Sequence, residues 1–184
     1  MSDDMAGGDG RPPATDGNSP SLGQAEGTVR TLMSRFPAGV GVVTAFDTQG
    51  RPWGATCLSV CKITLSPPSV LVCLRDKSPI LQALLSRSRF AVNMLHREAS
   101  TTAEMFASAD PDRFALTSCH IDPAAGGPHL TDASHTIADC AVADVIGVGD
   151  HAVVIGRVFY LSGDETTPTP LLYGLRRFAA WPGP

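Results

Sequence analysis

The sequence predicts a mainly β, α+β fold: an antiparallel barrel with short helices packed outside it. Three observations lead there. About seven strand-like runs stand against three short helical stretches. The runs are joined by turn signals rather than by regular helices, which argues against parallel βαβ units. Hydrophobic residues make up 43% of the 184 and charged residues 17%, enough for one domain with a sizeable core.

The elements follow in chain order. Residues 1–25 are rich in Gly, Pro, Ser and Asp without apolar period, and read as a disordered tail ahead of a folded domain over 26–184. Val29, Leu32, Met33 and Phe36 recur at the spacing of one helix face, and Pro37 ends that helix. Gly39–Phe46 is a β-branched strand, and Asp47–Gly50 a turn. A strand containing Gly54 runs to about Leu65, Ser66-Pro67-Pro68 breaks it, and Ser69–Arg75 is the next strand. Ser78 can cap a helix whose first residue is Pro79, and Leu81, Leu84 and Leu85 give it an apolar side. Arg89–Leu95 is a strand, Thr101–Ala107 a helix stopped by Asp110-Pro111-Asp112, and 117–135 a loop. Two strand-like runs between Thr136 and Leu161 flank Gly147–Asp150, a hairpin signal, and Pro170–Tyr173 is a last short strand.

Charge narrows the partners. Residues 1–26 hold five acids and one base, so they carry the whole formal net charge of −4. The neutral remainder gives no reason to expect nucleic acid or an anionic membrane surface. No run approaches the roughly 18 apolar residues that span a membrane. The odd count of five cysteines and the absence of a secretory leader speak for a reducing cytoplasm and against a disulfide framework. On one strand Cys57 and Cys61 would lie about 13 Å apart at ~3.3 Å per residue, too far for one tetrahedral zinc, so no metal is expected.

Chemistry has two local candidates. The capped Ser78 helix points free N–H groups and a positive dipole end outward beside Arg75 and Lys77, a place suited to phosphate and equally consistent with an ordinary surface cap. Thr56, Leu58 and Ser59 offer a strand with short polar side chains, which suits the polar edge of a flavin and equally a plain barrel strand. His151 sits at a hairpin tip, accessible to ligand or to solvent. Gly39-Val40-Gly41 runs on into a strand rather than a helix, so no dinucleotide fingerprint is present, and neither a nucleophile elbow nor a Walker loop appears.

Taken together, the motifs are familiar. Phe36-Pro37-Ala38-Gly39-Val40 leads into Val42-Val43-Thr44; then come Gly54-x-Thr56-x-x-Ser59, Pro67-Pro68-x-Val70-Leu71-Val72-Cys73-Leu74 and Ser78. Arg89–Leu95, Phe106-Ala107, Asp112-Arg113-Phe114, Gly149-Asp150-His151, Gly156-x-Val158 and Pro170–Tyr173 complete the series. In order and spacing this resembles the flavin reductase family, the small NAD(P)H:flavin oxidoreductase components of two-component monooxygenases, over roughly Val29 to Phe178. Leu58 departs from it, standing where Ser or Asn is frequent.

The resemblance implies a homodimeric split β-barrel of the FMN-binding type. It implies a flavin, FMN or FAD, along Gly54, Thr56, Leu58 and Ser59, with Cys73, Leu74 and Arg75 nearby, Ser78 at the phosphate, and Met105 and Phe106 also touching it. It implies NADH or NADPH near His151 and the segment Tyr173 to Arg176, His151 being the candidate to orient the nicotinamide or handle a proton. Hydride would pass from the nicotinamide to the flavin, and the reduced flavin would diffuse to a separate monooxygenase. A flavin-retaining oxidoreductase and a non-catalytic flavin-binding protein are the alternatives on the same fold.

Overall fold

The computed structural model describes residues 22–108, 110–163 and 169–181. Most of the expected tail lies outside those residues; helix α1, Leu22–Ser34, begins four residues ahead of the expected domain boundary. The expected apolar face is there, but Val29, Leu32, Met33 and Phe36 are each more than half exposed rather than buried in this chain. After α1 come β1 (Ala38–Gly39), β2 (Gly41–Phe46), β3 (Pro52–Cys57), β4 (Val60–Leu65) and β5 (Pro68–Arg75). Helix α2 (Pro79–Arg87), β6 (Arg89–Leu95) and α3 (Ser100–Ala107) follow, then β7 (Ser134–Val148), β8 (His151–Gly163), β9 (Leu171–Gly174) and β10 (Arg177–Ala180).

Seven strands form one antiparallel sheet in the order β3-β2-β6-β7-β8-β5-β4, and β1-β9-β10 form a small second sheet. The fold is thus mostly β with few helices, but the large sheet is not a closed barrel: among the described residues no ladder joins its edge strands β3 and β4. The physical reason lies in the expected single strand from Gly54 to Leu65, which the structure breaks at Leu58-Ser59. Cys57 ends β3 opposite Gly41, whereas Val60 opens β4 opposite Val72. Two residues therefore carry the chain from one edge of the sheet to the other.

That link forces curvature. Six interstrand spacings of about 4.8 Å would hold the edges of a flat sheet ~29 Å apart, whereas three extended residue steps reach only about 10 Å. The sheet curls until its edges approach. Cys73 on β5 donates its N–H to Ser59 O at 3.2 Å, and the Cys57 thiol donates to Cys73 O at 3.7 Å. Because Cys57 and Cys61 stand on opposite edge strands, the single-strand spacing expected for them does not apply.

Two apolar cores result. Inside the curl, Val43, Val72, Phe90, Val92 and Val154 meet Ile80, Leu81 and Leu84 of α2. Outside it, Val42, Leu95 and Leu171 meet Ala103 and Phe106 of α3. The loop between α3 and β7 is clamped across the sheet by polar contacts. Fully buried Asn93 donates from Nδ2 to Val42 O, Thr44 Oγ1 and Pro128 O, and accepts from Leu130 N–H at 2.8 Å. Gly126 and Gly127 allow this approach, since a Cβ on either would stand 2.1 Å from Phe90 O or 2.3 Å from Thr44 O.

The final strand of the sequence reading becomes a hairpin, β9 and β10, that turns through Leu175 and Arg176 at φ 50° and 60°. Both central residues of such a two-residue turn need positive φ, and neither is glycine here, so local sequence gave no turn signal.

Candidate functional site

Strand β3, helix α3, the start of α2 and the β9–β10 hairpin border two cavities that share Ala107. The larger is about 700 Å³ and touches Trp53, Gly54 and Ala55 on one side and the Arg75–Ile80 segment on the other. The smaller is about 370 Å³ and is lined by Thr56, Leu58, Glu104, Ala107, Tyr173 and Phe178. Both volumes lie in the range of roughly 300–1,000 Å³ typical of small-molecule sites. The pair runs along β3, one chamber mostly apolar and aromatic, the other bearing charge.

The charged chamber is built by the end of β5 and the cap of α2. Ser78 has extended backbone (φ −73°, ψ 138°), its Oγ accepts from Leu81 N–H at 3.4 Å, and Pro79 is the first helical residue. The same hydroxyl donates to Arg75 O at 2.7 Å. The Ser78 side chain is thus engaged in the cap, so an anion here would meet the helix dipole, Arg75 and Lys77 more than that hydroxyl. Arg75 is paired in register with His151, and His151 Nδ1 lies 2.8 Å from Asp150 Oδ1. The hydrogen bond to His151 and its charge hold the Asp150 carboxyl below the usual carboxylate range, with Arg75 adding to the effect.

The apolar chamber is walled by packed side chains. Thr56 Oγ1 donates to Ala103 O at 2.6 Å, tying β3 to α3. Tyr173 and Phe178 meet edge to face with centroids 5.1 Å apart across the β9–β10 ladder. Leu58, on the link rather than on a strand, adds its side chain to this wall. An apolar residue is in keeping with a wall whose other members include Tyr173 and Phe178.

The expected residues divide accordingly. The structure brings together Gly54, Arg75, Ser78 and the edge of Phe106 in the larger chamber, and Thr56, Leu58 and Tyr173 in the smaller. His151 stands beside the larger chamber through Asp150. Five expected residues fall elsewhere. Leu74 is buried in the core inside the curl. Cys73 is half-buried and lines neither chamber. Ser59 is exposed on the link, and Arg176 is exposed at the hairpin tip. Met105 lines a separate cavity with His96, Glu98 and Asp132, where Thr117 Oγ1 lies 3.4 Å from its sulfur. The helical spacing settles this last case: Met105 is one residue, or about 100°, round α3 from Phe106. Gly54 also acquires a packing reason, because a Cβ there would lie 2.7 Å from Phe106 Cε1 and 3.0 Å from Phe114 Cζ.

Sequence reasoning missed Trp53, Glu104, Arg113 and Phe178. Arg113 was visible inside Asp112-Arg113-Phe114, but its destination was not: Nη1 donates to Gly54 O at 3.1 Å and Nε to Asp110 O at 2.7 Å. Trp53 donates Nε1–H to Asp47 Oδ2 at 3.1 Å, and the Arg51 Nε–H donates to the same oxygen at 2.8 Å. Desolvation raises the Asp47 carboxyl, but these bonds, with the backbone N–H groups of Arg51 and Gln49, outweigh it and hold it well below the usual carboxylate range. Among the described residues no group of three or more His, Cys, Asp or Glu side chains is arranged to hold a metal ion. No helix of the described residues is long and apolar enough to cross a membrane.

A two-chamber groove along an edge strand of the curled antiparallel sheet, charged at one end and aromatic at the other, offers room, rings and charge of the kind a nucleotide would use. Comparison with known proteins makes the class specific. The flavin reductase like domain model matches residues 33–182, and the chain belongs to that family. It is 43% identical over 152 residues, 83% of this chain and 88% of the relative, to a flavin reductase (NADPH) of Lentzea aerocolonigenes. It is 37% identical over 155 residues, 84% of this chain and 81% of the relative, to a flavin reductase (NADH) of Kitasatospora aureofaciens. Among solved structures, nitrilotriacetate monooxygenase component B from Mycobacterium thermoresistibile superposes with TM-score 0.79 at 33% identity, covering 87% of this chain and 88% of that one. The NADH:FAD oxidoreductase of Streptomyces globisporus C-1027, solved with NAD and FAD fragments, gives TM-score 0.79 at 27% identity over 86% and 94%.

Proposed function

We propose that this chain is an NAD(P)H:flavin oxidoreductase that reduces FMN or FAD and releases it to a separate flavin-dependent monooxygenase. The observation that carries the reading is the paired chamber along β3 in a chain of the flavin reductase like domain family. The residues suit the ligand. Thr56, Leu58, Tyr173 and Phe178, with Glu104, line a largely apolar trough for a ring system, and Arg75, Lys77 and the α2 N-terminus, alongside Asp76 and Asp150, offer positive charge for a phosphate. A bound flavin supplies the redox chemistry, accepting hydride from the reduced nicotinamide.

What the chain contributes is orientation and exclusion of water. Tyr173 and Phe178 wall the trough, Thr56 fixes the distance of α3 from β3, and His151, oriented by Asp150, stands at the charged rim where a nicotinamide nucleotide would enter. The open, strongly curled sheet is our reading of the split-barrel flavin-binding type. The exposed apolar face of Val29, Leu32, Met33 and Phe36 is in keeping with a homodimer, since grouped exposed hydrophobics of this kind often mark an interaction surface. The five cysteines are unpaired, in keeping with a cytoplasmic protein.

The test is NAD(P)H oxidation with and without added flavin. Oxidation that depends on free FMN or FAD supports the reading. Protein that purifies with tightly held flavin and turns over without addition is instead a flavin-retaining oxidoreductase. Flavin binding without any oxidation of NADH or NADPH makes it a non-catalytic flavin-binding protein.

A further inference from the structure

We propose that Glu104 sets how the site discriminates between oxidised and reduced flavin: its carboxylate borders the trough and weakens the hold on the negatively charged reduced ring, so that the product leaves. The inference rests on the flavin reading and adds to it a residue for product release. Three observations carry it.

The first is position. Glu104 lines the smaller chamber with Thr56, Leu58, Ala107, Tyr173 and Phe178, and only Glu104 brings a carboxylate to that wall. Ala107, three residues on and so on the same face of α3, borders the chamber too. The carbonyl just before Glu104, that of Ala103, takes the Thr56 hydroxyl at 2.6 Å, which holds this turn of α3 against β3.

The second is that local stability does not call for an acid there. Glu104 lies in the last turn of α3, where the negative end of the helix dipole disfavours it. Its helical neighbours at three and four residues, Ser100, Thr101, Ala107 and Ser108, include no base. No ion pair of the described residues involves it. Arg75, Lys77 and Arg113 line the other chamber. A residue that departs from local preference beside a binding cavity points to a role in the cavity.

The third is the charge that the reaction creates. The hydride carries two electrons and one proton from nicotinamide C4 to N5 of the neutral oxidised ring. The nicotinamide ends with one positive charge, and the flavin ring with an N5–H bond and one negative charge. A carboxylate beside the ring is thus nearly indifferent to the flavin that enters and repels the flavin that is formed. Weaker binding of the product lowers the driving force of the reduction in the site by the same factor. Glu104 is exposed, so solvent screens the repulsion, and the expected factor is about five, smaller at high salt.

FMN and FAD, each oxidised and dithionite-reduced, are titrated anaerobically into the full chain and its Glu104→Gln, Glu104→Asp and Glu104→Lys variants, at low and high salt; circular dichroism checks that each is folded. The expected result is that the ratio of the reduced to the oxidised Kd falls about fivefold in Glu104→Gln, which for a two-electron couple is a rise of about 20 mV in the potential of the bound flavin. Glu104→Asp keeps most of the native ratio, Glu104→Lys lowers it further, and high salt brings the native chain towards Glu104→Gln. The same ratio in the native chain, Glu104→Gln and Glu104→Lys overturns the proposal while the flavin reading stands. So does an equal change in both Kd values, which would make Glu104 an ordinary binding group. Binding of neither flavin in either state by the native chain removes the flavin reading and this role together.

Discussion

Replacing Gly54 by alanine separates the packing role of this position from a ligand role. The added Cβ would stand 2.7 and 2.9 Å from two ring carbons of Phe106 and 3.0 Å from Phe114. Phe106 is 1% exposed and packs edge to face on Phe114 with centroids 5.1 Å apart, so one side of its ring is held although its edge borders the larger chamber. Relief takes either a turn of the ring towards that chamber, at the cost of this contact, or a movement of α3 away from β3, against the 2.6 Å bond from Thr56 to Ala103 O. Overpacking of this kind costs about 1–3 kcal/mol. At about 2–4 °C per kcal/mol for a chain of this size, Tm should fall by roughly 2–12 °C. Because α3 supplies Ala107 to both chambers, the KM for flavin should rise together with the loss of stability. Thermal melts and steady-state kinetics of Gly54→Ala, Phe106→Leu and the double variant measure both effects. The double variant should lose less than the two single losses combined, because the smaller side chain makes room for the methyl. A Gly54→Ala protein with native Tm but a raised flavin KM would refute the packing argument and make the glycine a ligand-approach residue.

Arg75→Ala should raise the KM for flavin about tenfold with a smaller fall in kcat, the signature of lost ground-state binding to a charged group. Ser78→Ala should also lower helix stability by about 1 kcal/mol, since its hydroxyl caps α2; unchanged Tm and KM in that variant would dismiss the cap. Asn93→Ala should destabilise by about 3 kcal/mol in a denaturant titration, because it strands buried partners on Val42, Thr44, Pro128 and Leu130; a loss below about 1 kcal/mol would show the clamp to be weak. Burial, with the nearby Asp139 charge, pushes the Cys140 thiol up to about 12, from 9.0 in the unfolded chain. Above pH 9 the unfolded chain therefore releases this proton first, and stability should fall by about 1.4 kcal/mol per pH unit until the folded thiol ionises. Cys140→Ala should flatten that alkaline slope, and an identical slope in both proteins would rule this thiol out as its cause.

The sequence and the structure agree where one residue's conformation decides the element. Ser78 followed by Pro79 placed α2, Gly149-Asp150 placed the turn between β7 and β8, and Pro67-Pro68 separated β4 from β5. They part where the deciding partner is remote. Leu58-Ser59 carries no Gly or Pro, and only the pairing of Cys57 with Gly41 and of Val60 with Val72 shows that the chain changes edge there. That one break turns the expected barrel into a curled, open sheet. Strand β10 was hidden for a local reason, its turn being made by Leu175 and Arg176 in a backbone region that side chains disfavour.

The site shows the same division. Arg75, Ser78 and Thr56 belong to local motifs and line the two chambers, whereas Tyr173, expected beside the nicotinamide nucleotide, lines the smaller chamber with Thr56 and Leu58. Arg113 could not be placed, because its guanidinium crosses to Gly54, 59 positions away in sequence. Met105 and Leu74 share segments with true lining residues, and only the rotation of a helix or the alternation of a strand turns them away.

The most direct measurement of the central claim is an anaerobic mixing experiment with catalytic amounts of the protein, excess free flavin and a limiting amount of NADH or NADPH. A flavin reductase of the proposed kind bleaches the oxidised flavin absorbance, one flavin reduced for each nicotinamide oxidised, at a rate proportional to protein concentration. Bleaching no faster than in the protein-free control, with both nicotinamide nucleotides and both flavins, would contradict it.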